Sequence, residues 1–480
     1  MLTMNNNSNY LRKELTSVLL RHFFNDRLAE NIDRIPIDLN PKNDSSYRCC
    51  LYKDRAMTRY RILALLGISI EEDDDEFRSL RSFLDDAQKR IEITAPVLTV
   101  IDTACSSCVK VSYHVTDECK GCLARPCQTN CPVNAVTFIN GRSIINKDLC
   151  RNCGKCKEVC PYNAIIYTPV PCEDSCPVGA VQRDDKGRMN IDYDKCIFCG
   201  KCSRSCPFGA VMERSQIIDV AGHIKTGGET VAILAPSVIG QFPGSLGQLA
   251  GALKKAGFTA VMEAAGGADR TAREEAAEFT HKMESGEPVM GTSCCPAYIA
   301  AVEKHVPVFK PFVSGTKTPM NFAAASASKM FPGAKKVFIG PCTAKKMEAL
   351  RDRSADWVLT FEELGAIFIA LDIDVDDCAE DEMLADGASF SSRAFPAIKG
   401  VSDAVGHYLS PEMKAIFNPL LVDGLSRKSL NLLKVAAAGK LKNNMIEVMS
   451  CEGGCICGPG IICNPRVTIK KLNSFLDRAG

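Results

Sequence analysis

Two thiols stand side by side in Thr292-Ser293-Cys294-Cys295-Pro296, where an apolar strand should give way to a helix. Adjacent side chains at such a corner point different ways. One sulfur can therefore hold a metal centre while its neighbour faces a substrate pocket, provided that other ligands arrive from elsewhere in the chain. Three thiols can do so: Cys342, in Gly340-Pro341-Cys342-Thr343-Ala344-Lys345-Lys346-Met347-Glu348, and Cys451 and Cys455, in Glu447-Val448-Met449-Ser450-Cys451-Glu452-Gly453-Gly454-Cys455. With Cys295 they supply four thiolates, enough for one 4Fe-4S cubane held between loops rather than wrapped by a single one.

A second set of cysteines, between Cys105 and Val211, suits the movement of electrons. A Cys-Pro-x-x-Ala motif recurs at Cys131, Cys160, Cys176 and Cys206. Cys150, Cys153, Cys156 and Cys160 follow C-x2-C-x2-C-x3-C-P, the spacing of bacterial 4Fe-4S ferredoxins, and so do Cys196, Cys199, Cys202 and Cys206. In that pattern three thiols wrap one cubane and the Cys-Pro thiol crosses to its partner. Cys119, Cys122 and Cys127 precede the Cys-Pro at Cys131. One unit would then hold Cys119/Cys122/Cys127/Cys160 and Cys150/Cys153/Cys156/Cys131. A second would hold Cys196/Cys199/Cys202/Cys176, leaving Cys206 to join Cys105, Cys108 and Cys172. The first unit is therefore expected inside the first half of the second, and the sixteen thiols make four cubanes with none over. Taken alone, Cys105 and Cys108 suit zinc or a redox dithiol as well.

The three segments around Cys295, Cys342 and Cys451/Cys455 resemble the signature motifs of the iron-only (FeFe) hydrogenases: Thr-Ser-Cys-Cys-Pro, Pro-Cys-x-x-Lys-x-x-Glu and Glu-x-Met-x-Cys-x-x-x-Cys. The chain looks like a divergent, monomeric-type member with ferredoxin-like cluster domains ahead of the catalytic one. The resemblance implies reversible reduction of protons to dihydrogen at an H-cluster, a cubane linked to a two-iron unit bearing carbon monoxide, cyanide and a bridging dithiolate. It implies Cys455 as the bridging ligand and Cys294 as the thiol that passes protons, for which an ordinary thiol pKa of about 8.5 is well placed. By the same resemblance Lys345 and Ser237 face the cyanides and Met449 packs on the two-iron unit, while Glu275, Glu278 and Ser314 relay protons to solvent. Ferredoxin or a similar carrier and H-cluster maturation proteins are the implied partners. Read without the resemblance, Glu275 and Glu278 are a solvated helix face, Ser237 is a helix cap and Cys294 a buried inert thiol.

Three features depart from the family. Gly340 stands where the best-studied members have a methionine, a gap expected to leave room beside the site. Tyr298 replaces a tryptophan, and Cys457 interrupts a run of glycines. Cys49, Cys50, Cys378, Cys457 and Cys463 have no assigned role, Cys49 and Cys50 being expected as buried structural thiols. Two other functions suit the same cysteines: a non-catalytic hydrogenase-like iron-sulfur assembly protein, and a redox sensor or electron carrier. The first needs neither a proton thiol nor a lysine for cyanide.

The elements that must position these residues form an α/β domain over 228–480, preceded by α+β ferredoxin-like units over 101–215 and a helical segment over 1–100. Apolar spacing predicts helices over 11–28 and 58–66, with a solvated acidic run at 71–76. Residues 212–228 read as a linker or hairpin. Beyond it strands are expected at 230–234, 260–263, 288–291, 336–339 and 358–360. Helices are expected at 247–255, 269–283, 298–304, 319–330 and 361–371. Ligands at strand ends suit such a sheet. A formal charge of +1 offers no excess with which to bind nucleic acid. Residues 1–7 lack a basic, apolar leader and no apolar run reaches membrane-spanning length, so a cytoplasmic protein is expected. Twenty-six cysteines in a chain of 480 residues then point to metal rather than disulfides.

Overall fold

Two parallel sheets carry the motif cysteines, and both run their strands out toward one cavity. They are seen in a computed structural model that describes residues 6–42, 46–73, 75, 77–105, 108, 112–184 and 188–479. The first sheet is ordered Ala260–Glu263, Thr230–Leu234, Lys335–Ile339, Trp357–Leu359, with every pairing parallel. Thr230–Leu234 is buried at all five positions, as a central strand covered on both faces should be. The second sheet sets Met445–Met449 between Met290–Gly291 and Pro419–Asp423, again in parallel. Because parallel strands end on the same edge, the segments after Leu234, Gly291, Ile339 and Met449 meet there. This is the α/β architecture expected, divided into two sheets rather than one.

Helix Ala265–Glu284 crosses between the sheets, packing on Pro319–Met330 and Gly400–Tyr408. It starts four residues earlier than its apolar spacing suggests, in Ala265-Gly266-Gly267-Ala268. The reason is proximity: a Cβ at Gly267 would collide with the backbone carbonyl oxygen of Pro319. Residues 212–228 are not a linker. Ile217–Lys225 is a helix that buries Ile217, Ile218, Val220, Ala221 and Ile224. Helix Thr343–Asp352 has no counterpart in the expected elements, since its buried side chains include Lys345, Lys346 and Glu348 and leave no apolar periodicity to read.

In the cysteine-rich region the strand pairing is itself nested. Leu98–Val100, before Cys105, pairs antiparallel with Val211–Glu213, after Cys206. Inside that pair, Ser112–Val115 joins Ile165–Thr168 and encloses the first cysteine unit. The amino-terminal helices run over Asn7–Phe24, Leu51–Leu65 and Leu80–Lys89. They are not a separate body, for Leu15, Leu19 and Leu20 share a continuous core with Ile233, Val337 and Phe361. Cys49 and Cys50 are exposed rather than buried, because they sit at the start of Leu51–Leu65. In the acidic run, Glu71 accepts hydrogen bonds from the hydroxyls of Ser69 and Thr99, so it is tied down rather than merely solvated. Positions 74 and 76 of that run lie outside the described residues.

Candidate metal centre and proton route

The strand ends enclose a cavity of about 100 Å³ lined by Cys294, Cys295, Cys342, Cys451 and Cys455, together with Lys345, Ser237 and Met449. The structure thus gathers residues from four distant segments. Cys295 and Cys342 occupy the positions immediately before helices Pro296–His305 and Thr343–Asp352. Each helix begins where a parallel strand has just ended. Cys451 follows strand Met445–Met449, and Cys455 opens a short 3-10 turn, Cys455–Cys457, after Gly453 and Gly454, both at positive φ. Burial pushes the Cys342 thiol up to about 12, with the nearby Cys295 sulfur adding to the effect. Cys451 is likewise raised by burial and then by Cys342, Cys455 and Cys295. Four mutually repelling, desolvated sulfurs are costly as free thiolates, and a cationic cluster core would relieve that cost.

Two buried hydroxyls on this cavity, Ser237 Oγ and Ser450 Oγ, have no hydrogen-bond partner. Ser237 lies within a 3-10 turn, Pro236–Val238, and caps no helix. Lys345 is held by Glu348 one turn on, at 2.6 Å, and donates to Thr318 Oγ1 at 3.1 Å. Burial works to discharge this ammonium, but Glu348 and then Cys342 and Cys294 hold its pKa above the ordinary lysine value. A sulfur-bound, anionic group with acceptor atoms at its periphery therefore fits the donor set: four thiols, one fixed cation and two unpartnered hydroxyls. Among the described residues no three His, Cys, Asp or Glu groups are arranged to hold a single metal ion. The thiols at the strand ends and those of the Cys119 group line voids instead.

The other cysteines lie close to one another along the 105–206 region. Cys119, Cys122, Cys127 and Cys160 line one small void. Cys156 is raised by burial and by Cys150 and Cys153, and packs in a small core with Cys131. Cys172 is pushed up to about 12 by burial, then by Cys206, Cys105 and Cys108. Cys202 is raised by burial, then by Cys199, Cys196 and Cys176. Cys199 itself reaches the wall of the main cavity, a contact that spacing alone did not reveal.

Behind Cys294 lies a row of proton-bearing groups. Glu275 is completely buried, not a solvated residue, and its Oε1 accepts from the backbone N–H of Ser293 at 2.7 Å and from its hydroxyl at 2.9 Å. Burial, only partly offset by those bonds, lifts its pKa to about 7. The Cys294 thiol is pushed well above its ordinary range by burial and then by Glu275. One turn along, Glu278 accepts from Ser314 Oγ at 2.6 Å and from Gly315 N at 3.1 Å. Ser293 and Ser314 both reach an open cleft of about 640 Å³. Ser293, though inside the first motif, was not singled out by the sequence reading. Its task requires Glu275, eighteen residues away, to be buried.

Position 340 does not open a gap. A Cβ there would lie 2.9 Å from Phe338 Cε1 and 3.0 Å from Ala235 Cβ, and Phe338 lines the cavity. Glu447, the first residue of the third motif, has a structural set of partners: it accepts from Lys399 N at 2.8 Å, and from Ser402 N and Oγ at 2.7 Å each, holding the start of helix Gly400–Tyr408.

Residues 228–459 match the family profile described as iron only hydrogenase large subunit, C-terminal domain. Residues 143–166 and 189–212 each match the 4Fe-4S binding domain. Iron hydrogenase 1 of Clostridium pasteurianum is 28% identical over 274 residues, 47% of this chain and 46% of that protein. The chain thus spans about half the length of that relative. The periplasmic iron hydrogenase large subunit of Nitratidesulfovibrio vulgaris is 29% identical over 52% of this chain and 72% of its own. Nuclear prelamin A recognition factor of Rattus norvegicus is 26% identical over 44% of this chain and 58% of its own. Among solved structures, a variant of the FeFe hydrogenase of Chlamydomonas reinhardtii covers 55% of this chain and 88% of its own, at 23% identity and a TM-score of 0.46. No helix in the described residues is long and apolar enough to cross a membrane.

Proposed function

We propose that this chain, a divergent iron-only hydrogenase-like protein by its profile match over residues 228–459 and its 4Fe-4S motifs, is a ferredoxin-type iron-only hydrogenase exchanging two protons and two electrons with dihydrogen. The observation that carries this reading is the row Cys294, Glu275/Ser293, Ser314/Glu278, which leads from the thiol-lined cavity to an open cleft. A centre that only stored electrons would have no use for it. Cys295, Cys342, Cys451 and Cys455 would hold the cluster, and Lys345, Ser237 and Met449, which line the same cavity, would stand beside it. When bound, that H-cluster supplies the redox chemistry of dihydrogen.

The chain's own residues move the protons. Cys294 Sγ gives its proton toward the cavity and regains one from Glu275. A carboxyl that titrates at about pH 7 exchanges protons readily in both directions. Ser293 fixes the carboxyl by two bonds to Oε1, and Ser314 with Glu278 continues the row to the cleft. Lys345 stays charged through Glu348, so it acts as a fixed donor to an anionic ligand. Electrons would enter from ferredoxin or a similar carrier and reach the cavity at Cys199.

Infrared spectroscopy of protein made with the H-cluster maturation machinery tests the cofactor: carbonyl and cyanide stretches are expected. Their absence would leave an iron-sulfur protein of the assembly or electron-carrier kind. Hydrogen evolution from a reduced viologen then tests the enzyme. C294A should lose at least about 99% of turnover, since general acid-base groups contribute roughly 10²–10⁴-fold, with iron content unchanged. Retained turnover would remove Cys294 from the route.

A further inference from the structure

Tyr298 stands where the family resemblance leads to a tryptophan, and its hydroxyl sits against the proton route. The side chain is fully buried on helix Pro296–His305, one turn beyond Cys294. Its Oη has no hydrogen-bond partner, and neither does Glu275 Oε2. A Cβ at Gly291 would overlap the Tyr298 hydroxyl, so this glycine houses it at the end of strand Met290–Gly291. Two residues further on, Ser293 grips Glu275 through Oε1 alone. Of the charged groups acting on Tyr298, Glu275 acts most strongly, ahead of Cys295 and Cys294. A buried phenol donor and a buried carboxylate acceptor, each unpartnered, thus lie against the same short segment, Tyr298 at Gly291 and Glu275 at Ser293. Leaving both unsatisfied is unfavourable in a buried setting, and joining them removes that cost.

We propose that Tyr298 is a positioning residue for the proton route, its hydroxyl donating to Glu275 Oε2 directly or through one water. The carboxyl is then held at both oxygens, by Ser293 and by Tyr298, at a fixed angle between Cys294 and Glu278. A bond donated to the ionised carboxylate favours that form. Besides Tyr298, the groups that face this carboxyl are Ser293 and Cys294 from the corner, Glu278 from its own helix and Glu447 from the neighbouring strand. The inference rests on the hydrogenase reading for its purpose but not for its geometry.

The test uses Y298F, which removes one oxygen from an otherwise unchanged ring. In full-length protein carrying its 4Fe-4S clusters but no two-iron unit, infrared titration should show a protonated-carboxyl stretch that E275Q abolishes. The midpoint of that band should rise by about one pH unit in Y298F, the size of a modest hydrogen-bond contribution. Superimposable midpoints would overturn the proposal, as would a shift in some carboxyl that survives E275Q. In the matured enzyme, the pH profile of hydrogen evolution should move the same way in Y298F, and Y298F/E275Q should be indistinguishable from E275Q. Additive losses in the double variant would also overturn it. A protein without hydrogenase activity would still give the titration, so failure of the two readings is distinguishable.

Discussion

A side chain at position 340 would meet the ring of Phe338, and that contact decides what the missing methionine means. The volume is already occupied by an aromatic residue two positions earlier in the same strand and loop. G340M should therefore destabilise the protein by about 1–3 kcal/mol, the usual cost of overpacking, seen as a lower denaturant midpoint. F338A/G340M should be less unstable than the sum of its single changes, since the two side chains compete for one space. Strict additivity would show that they do not. The contrast with Cys295, Cys342, Cys451 and Cys455 is instructive. Their chemistry and spacing are written in the residue types, so they could be found in the chain. The filling of a gap depends on a rotamer and a neighbouring Ala235, which no spacing reveals.

At the level of elements, the helices legible in the chain are those with an apolar stripe, such as Pro319–Met330, which buries Met320, Ala323, Ala324 and Ala327. Thr343–Asp352 was illegible because it buries charge instead. Lys346 is fully inside, paired with Glu363 at 3.0 Å and Glu213 at 3.4 Å, and burial and those carboxylates together set its state. A similar device explains the glutamate of the third motif. Glu447 takes three hydrogen bonds at the start of helix Gly400–Tyr408, tying the sheet that delivers Cys451 to a helix that packs on Glu275's own. E447A leaves the two Ser402 donors buried without an acceptor and takes the acceptor from Lys399 N. It should cost about 1–3 kcal/mol or more, measured by thermal or denaturant unfolding, whereas E447Q should recover part of the loss. Equal stability of E447A and the parent would show that the motif glutamate is not structural.

Across the whole molecule the strand pairs are nested, Ser112–Val115 with Ile165–Thr168 inside Leu98–Val100 with Val211–Glu213, and the proposed cysteine groups would be nested by the same insertion. The full-length chain reconstituted with iron and sulfide, without maturation, should hold about twenty irons, four for each of five cubanes. C105S/C108S should lose about four of them. Retention of all the iron, or a stoichiometric zinc in the parent, would show that this pair does something else. What the chain alone could not reveal is the coherence of its ends: the amino-terminal helices share a core with the four-stranded parallel sheet. Their apolar residues gave no hint of a partner more than two hundred positions away.

Gly200, one residue past Cys199, is at φ +74, and a Cβ there would lie 2.6 Å from Thr343 Oγ1 and 2.8 Å from Pro459 Cγ. This hydrogen-only surface lets the cysteine loop press directly against the residue after Cys342, with Arg204 Nη1 donating to the carbonyls of Cys457 and Gly458 nearby. Tunnelling probability decays exponentially with separation, so a single methyl wedged into that seam would throttle current into the cavity while leaving every sulfur and every acid in place. A wire can fail at its joint with both ends intact.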